Sequence, residues 1–337
     1  VGRQATLDGI LDFLDSIADE PTVKGIQVMG YWGEFEGATA GDYSRGFATM
    51  DAILTRAARH NKYVILSVMP AVFGGYGSNW AEFLPAYLIN DSRYGITEFD
   101  LNGNGLQTRI WQAATSDRPI ALINAYGKRY NDHPNFEMFT IGETSVNVSE
   151  GKDGYSLGAL DAQLTRQMNA ARAAFPNTAI RLGANWYGSD GWMISLLKRA
   201  ADLDIAVGGP DVVPRSAIQS NQVFTGAIAG STDLRGVVPF VAEVQSPSLG
   251  GKAGTYTAEQ LFLAAMEGIS TRSGGATGSG SAVFRSVDPQ YFVWYVNTWS
   301  GGDEQKWDTG ILPYIRQIKG AVASTACPRG YDGGCKS

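Results

Sequence analysis

The chain has 337 residues, 44% of them hydrophobic, enough for a sizeable core in one large barrel or two smaller domains. Its formal net charge is −6 and no run of Lys or Arg stands out, which argues against nucleic acid and anionic membrane as partners. No apolar stretch approaches the roughly 18 residues of a membrane span, and the absence of a leader-like segment at Val1 reads as a mature or trimmed chain.

Taken in order, residues 7–17 carry apolar side chains at 7, 10, 11, 14 and 17, one face of a helix. Residues 25–32 (GIQVMGYW) form a short strand-like run. A helix is expected over 47–60 and a buried strand over 63–69 (YVILSVM). The segment 70–118 reads as one long loop holding Trp80, Phe83, Tyr87, Tyr94, Phe99 and Trp111. A loop of that length is usually functional, and its aromatics suit either sugar stacking or a small core of their own. Beyond it come a helix at 120–130, a strand at 136–141, and a helix at 160–174 ended by Pro176. Then follow a strand at 180–186, a helix at 192–201, a weak strand at 205–208 and a strong one at 237–244. A helix at 258–269, a strand at 291–299 (YFVWYVNTW) and a helix at 310–322 complete the pattern.

Seven continuous apolar strands alternating with helices indicate a parallel sheet covered on both faces, as a (β/α)8 barrel or a doubly wound sheet. Candidate catalytic residues at the ends of several different strands favour the TIM barrel, an α/β fold. Its missing first strand is expected at or before Val1. A single barrel domain is expected over 1–325, with a tail at 326–337. Within that tail, Cys327 and Cys335 are separated by a Pro- and Gly-rich spacer that suits a small disulfide loop, with two free thiols as the competing reading. A disulfide points to an oxidising, secreted or periplasmic, compartment.

Two carboxylates carry the chemical argument. Glu143 ends the run 136–143 (FEMFTIGE) and Glu243 ends 237–243 (VVPFVAE). A carboxylate at the end of a buried strand is costly unless it faces a cleft and has a partner. Two of them suit an acid/base and nucleophile pair for glycosidic bond cleavage, against the alternative of two salt-bridged strand ends. With only His60 and His133 in the chain, a multi-histidine zinc site and a Ser-His-Asp triad lack ligands, and no cofactor or catalytic metal is expected.

The stretch 121–144 (ALINAYGKRYNDHPNFEMFTIGET), together with GYWGEFEG, ARHNKYVILSV, FPNTAIRLGANW, VAE and Trp299 in that order, resembles clan A glycoside hydrolases across almost the whole chain. The resemblance implies a (β/α)8 barrel, Glu143 as acid/base after strand 4 and Glu243 as nucleophile after strand 7. One departure stands out. The family usually places Asn, a ligand of the sugar 2-hydroxyl, just before the acid/base, where this chain has Gly142; either Asn147 or Asn185 supplies the amide, or the chain belongs to a divergent family.

Trp32, Trp186, Tyr187 and Trp299 end strands, where they serve as sugar platforms or as core. Asn185 and Asn297 are candidate hydroxyl ligands. Asp211 suits a substrate contact or a turn. Glu34 is a further candidate for substrate binding, and with Glu36 it is the competing carboxylate. His133 and His60 read as structural. Asp100–Gly105 (DLNGNG) matches half of a calcium loop, but Trp111 occupies the position of the acidic twelfth ligand, so a polar turn is the stronger reading. These observations predict a retaining, secreted hydrolase of β-linked polysaccharide or oligosaccharide, preferentially endo-acting, with its oligomeric state open. The alternatives are a non-catalytic carbohydrate-binding barrel and a sugar-phosphate isomerase or aldolase barrel, the latter resting on Lys252 after Gly250 and Gly251.

Overall fold

The computed structural model describes residues 6–74, 83–101, 103–209, 223, 232–244, 257–262, 289–296 and 306–318. They fall into two compact units, one drawn from 6–18 and 25–180, the other from 19–24 and 181–318, with the boundary inside a strand.

In the first unit, helix α1 (Leu7–Ser16) buries Ile10 and Leu14, and its N-cap Thr6 accepts from the Gly9 amide. Strand β1 (Gly25–Tyr31) follows, then the single turn α2 (Trp32–Phe35), helix α3 (Ser44–Arg59) and strand β2 (Tyr63–Met69). The strand expected to run through Trp32 stops at Tyr31, because the Glu34 carboxylate accepts from the Tyr31 amide at 2.6 Å and turns the chain into α2.

The segment expected to be one long loop is built. It contains β3 (Ala71–Phe73), α4 (Ala86–Asn90), β4 (Ile96–Glu98) and β5 (Gly105–Thr108), and its strands form an antiparallel sheet in the order β3-β5-β4. Of its aromatics, Phe99 packs edge-on against Phe73, Tyr87 against Tyr94, and Trp111 against Tyr155, so these rings form a local core. Helix α5 (Ala113–Tyr130) begins seven residues earlier than expected and carries Pro119 inside it. Its first turns bury Thr115 and Ser116, and Gln167 donates to the Ser116 hydroxyl. Polar residues buried by a tertiary contact leave no apolar periodicity to read.

Strand β6 (Phe136–Ile141), all six residues buried, and helix α6 (Leu157–Ala174) complete this unit. Its parallel strands lie in the order β1-β2-β6. Phe136 and Phe139 of β6 form a stacked series with Tyr130 and Phe175, ring centroids 5.1–5.9 Å apart.

Strand β7 (Ala179–Gly183) carries the boundary between the units. The second unit continues with α7 (Asp190–Asp202), β8 (Ala206–Gly209), β9 (Phe240–Val244) and β10 (Tyr291–Trp294). Its strands are parallel in the order β7-β8-β9-β10. Strand β9 starts three residues later than expected, with Val237 51% exposed before it. The expected closing helix is a π-helical turn (Trp307–Ile311) running into Leu312–Ile315 and a last turn, Arg316–Ile318. Residues 258–262, within the helix expected at 258–269, are helical.

All seven expected strands are present, and those of each unit are parallel to one another. Within each unit every parallel strand pairs with the next parallel strand in sequence, which is the progression of a β/α barrel; a doubly wound sheet reverses its order at a switch point.

Candidate active site

Glu143 lies two residues past the end of β6 and is half-buried. It lines a largely apolar cavity together with Trp32, Pro70, Ile110, Phe139 and Gly142. Gly142 has a steric cause. A Cβ there would sit 2.6 Å from Pro70 Cδ and 2.8 Å from the Val68 carbonyl, so the chain has no room for the asparagine its family resemblance leads one to expect. Asn147, one proposed substitute, is buried in the same unit.

The three other site residues near β1 separate clearly. Trp32 is 1% exposed, and its indole donates to Glu36 Oε2 at 2.7 Å, so what it presents to the cavity is a fixed wall. Glu34 caps α2, and burial pushes its carboxyl up from the ordinary 4.5. Glu36 is fully engaged. Oε1 accepts from Arg118 at 2.6 Å and from the Gly41 amide at 2.7 Å, and Oε2 accepts from Trp32 and from the Tyr87 hydroxyl at 2.9 Å. Four donors on a buried carboxylate describe a structural anchor.

In the second unit, Glu243 is the fourth residue of β9 and is 3% exposed. Arg181 Nη1, from β7, donates to its Oε1 at 2.5 Å, and the Tyr295 hydroxyl, just past β10, donates to Oε2 at 2.9 Å. The registers explain the reach. Gly183 pairs with Gly208, and Gly208 with Val241, so by alternation 181, 208 and 243 share one face. Glycine at 208 leaves a lane across β8: a Cβ there would lie 3.1 Å from Arg181 Nε and 2.2 Å from the Val241 carbonyl. Sequence reading missed Arg181 and Tyr295. The signal for the first was available, since an arginine inside the buried run AIRLG demands an acidic partner.

Past β7, Asn185 is buried, Trp186 is 54% exposed and Tyr187 is fully buried, edge-on to Trp192 at 6.5 Å. Trp186 holds φ at +36°, a conformation rare for a bulky residue and costly unless its surroundings impose it. Asp211, Asn297, Trp299, Lys252, Cys327 and Cys335 lie outside the described residues. Asp100 accepts from the Ser149 amide and hydroxyl at 2.8 and 2.6 Å, contacts that tie it to a segment 49 residues away. His133 Nδ1 accepts from the Asn135 amide two residues on, and His60 pairs with Asp15, 45 residues away. Among the described residues no cluster of three or more His, Cys, Asp or Glu is arranged to hold a metal ion.

No protein-family model matches the chain. A curated polyribonucleotide nucleotidyltransferase from Streptococcus mutans serotype c is 29% identical over 181 residues, 50% of this chain and 24% of that one. The chain thus spans about a quarter of the length of the curated relative it matches. Solved structures match over nearly the whole chain. The catalytic domain of a β-amylase from Paenibacillus polymyxa has a TM-score of 0.61 at 11% identity, covering 97% of each chain. A GH5_18 protein from Streptomyces cattleya, in complex with Manβ1-4GlcNAc, has a TM-score of 0.60 at 15% identity, over 96% of this chain and 78% of that one. An exo-β-1,4-mannosidase from Opitutaceae bacterium strain TAV5 has a TM-score of 0.54 at 11% identity, over 94% of this chain and 56% of that one. At these identities the likeness is one of fold, and the fold is a TIM barrel.

Proposed function

We propose that this protein is a retaining glycoside hydrolase acting on a β-linked polysaccharide or oligosaccharide, with Glu243 as nucleophile and Glu143 as acid/base. The observation that carries the reading is Glu243 itself: a carboxylate buried near the C-terminal end of a parallel strand and gripped by one donor from β7 and another just past β10. In the first step a Glu243 oxygen attacks the anomeric carbon as the glycosidic C–O bond breaks. The leaving oxygen takes the proton of Glu143. In the second, Glu143 removes a proton from water, which displaces Glu243 and releases the sugar. This chemistry requires the two carboxyl groups roughly 5–5.5 Å apart. Trp186, exposed and strained past β7, is proposed as a sugar platform, with Asn147 and Asn185 as hydroxyl ligands. Asp211, Asn297 and Trp299 keep their proposed substrate roles. Endo action, a single catalytic barrel over 1–325, a Cys327–Cys335 disulfide and a secreted or periplasmic location belong to the same reading.

Two of the similar structures bear names or ligands with β-linked mannose, so β-mannosides lead the substrate panel, followed by β-glucans, xylans and galactans. The net charge of −6 weighs against the polyanionic substrate suggested by the partial nucleotidyltransferase match. The test is release of reducing ends by the wild type and by Glu143→Gln and Glu243→Gln. Activity that falls on the order of 10³-fold in each variant is expected. Unchanged activity in either variant removes that residue from the mechanism. A second reading, a non-catalytic carbohydrate-binding barrel, draws on the Arg181–Glu243 ion pair as a purely structural contact. It predicts binding to a polymer of the panel without cleavage.

A further inference from the structure

This inference rests on the reading of Glu243 as nucleophile and concerns what aims it. The terminal torsion of a glutamate is broad and roughly two-fold, so an unrestrained carboxylate samples many orientations. Here the two oxygens are held by different donors, Oε1 by Arg181 at 2.5 Å and Oε2 by Tyr295 at 2.9 Å. Turning the carboxylate breaks both bonds. Neither donor belongs to β9. Arg181 comes from two strands away through the lane left by Gly208, and Tyr295 follows the strand in which Val293 pairs with Glu243. A structural ion pair needs only the guanidinium; the phenol on the other oxygen adds orientation.

We propose that Arg181 and Tyr295 are positioning residues that fix the orientation of the Glu243 carboxylate for attack on the anomeric carbon. Both act only as hydrogen-bond donors to the carboxylate, and neither is a proton source in the steps given above. The experiment uses the full chain with activated 2-deoxy-2-fluoro-β-mannosides and β-glucosides, which trap a glycosyl-enzyme. The adduct is mapped by mass spectrometry, and kcat, KM and the unfolding midpoint are measured in parallel. In the wild type the label is expected on Glu243. In Tyr295→Phe the labelling rate and kcat are expected to fall on the order of 10²-fold, with KM within a few-fold of wild type and the unfolding midpoint nearly unchanged. Arg181→Lys, which keeps the charge and loses the fork, is expected to move the same way. Labelling of Tyr295→Phe at the wild-type rate, or a lowered midpoint with unchanged kcat, overturns the positioning role while Glu243 remains the nucleophile. A wild type labelled elsewhere, or not labelled at all, overturns the reading of Glu243 and this inference with it.

Discussion

Gly142 shows how a single residue ties sequence, packing and function together. Its missing side chain departs from the sequence pattern the chain otherwise resembles, yet a Cβ there would meet Pro70 and the Val68 carbonyl inside normal contact distance. Gly142→Asn is therefore expected to destabilise the protein by about 1–3 kcal/mol through overpacking, read from urea unfolding midpoints, and to leave the sugar-binding amide unrestored. A variant as stable as wild type would show that Pro70 yields and that the close approach has no part in the choice of glycine. Gly208 is the counterpart beside Glu243, where a small residue keeps a lane open for the Arg181 guanidinium.

The segment between β2 and α5 is fastened to α2 by one buried carboxylate. Glu36, just past α2, receives Tyr87 from α4 and Arg118 from α5, and Arg118 also donates to the Tyr87 hydroxyl at 3.1 Å. Removing the cation leaves Glu36 charged, buried and short of its strongest partner. Arg118→Met is thus expected to cost about 3–5 kcal/mol, measured by denaturant unfolding, and Arg118→Lys less, because the charge remains and only the fork is lost. Equal stability of both variants with wild type would reduce the network to incidental contacts. Because Glu36 also accepts from Trp32, which lines the cavity beside Glu143, loosening this anchor is expected to reach the proposed site as well.

Across the whole molecule, surface carboxylates set the acid side of stability. The His60 ring, with the Arg56 guanidinium, holds Asp15 below its ordinary 3.8. Ser44 holds Asp42 down, Arg93 holds Asp91 down, and Ser149 holds Asp100 down. A depressed carboxylate binds fewer protons folded than unfolded. Its contribution is complete above the ordinary value and is lost as pH falls through the folded value. Glu34 has the opposite sign: burial raises its carboxyl, so its contribution is present below 4.5 and lost as pH rises through the raised value. Urea midpoints are accordingly expected to fall as pH drops below about 4, with a smaller fall in Asp15→Asn than in wild type. Identical pH profiles for the two proteins would remove Asp15 from this balance.

The seven strands and most helices could be read from the chain alone, because apolar runs and periodic faces are local records of burial. The same reading singled out Glu143 and Glu243, since a charge ending an apolar run is conspicuous in one dimension. It missed the early turns of α5 and the small sheet β3-β5-β4, where burial falls on Thr and Ser or on strands of three or four residues. It also missed Arg181 and Tyr295. They are separated from Glu243 by 62 and 52 residues, and their meeting depends on strand register and on a glycine between them. Local patterning selects which segments are buried and in what conformation; which charges those segments bring into contact is decided only when the strands pair, because pairing is long-range and register is a property of two chains of residues at once.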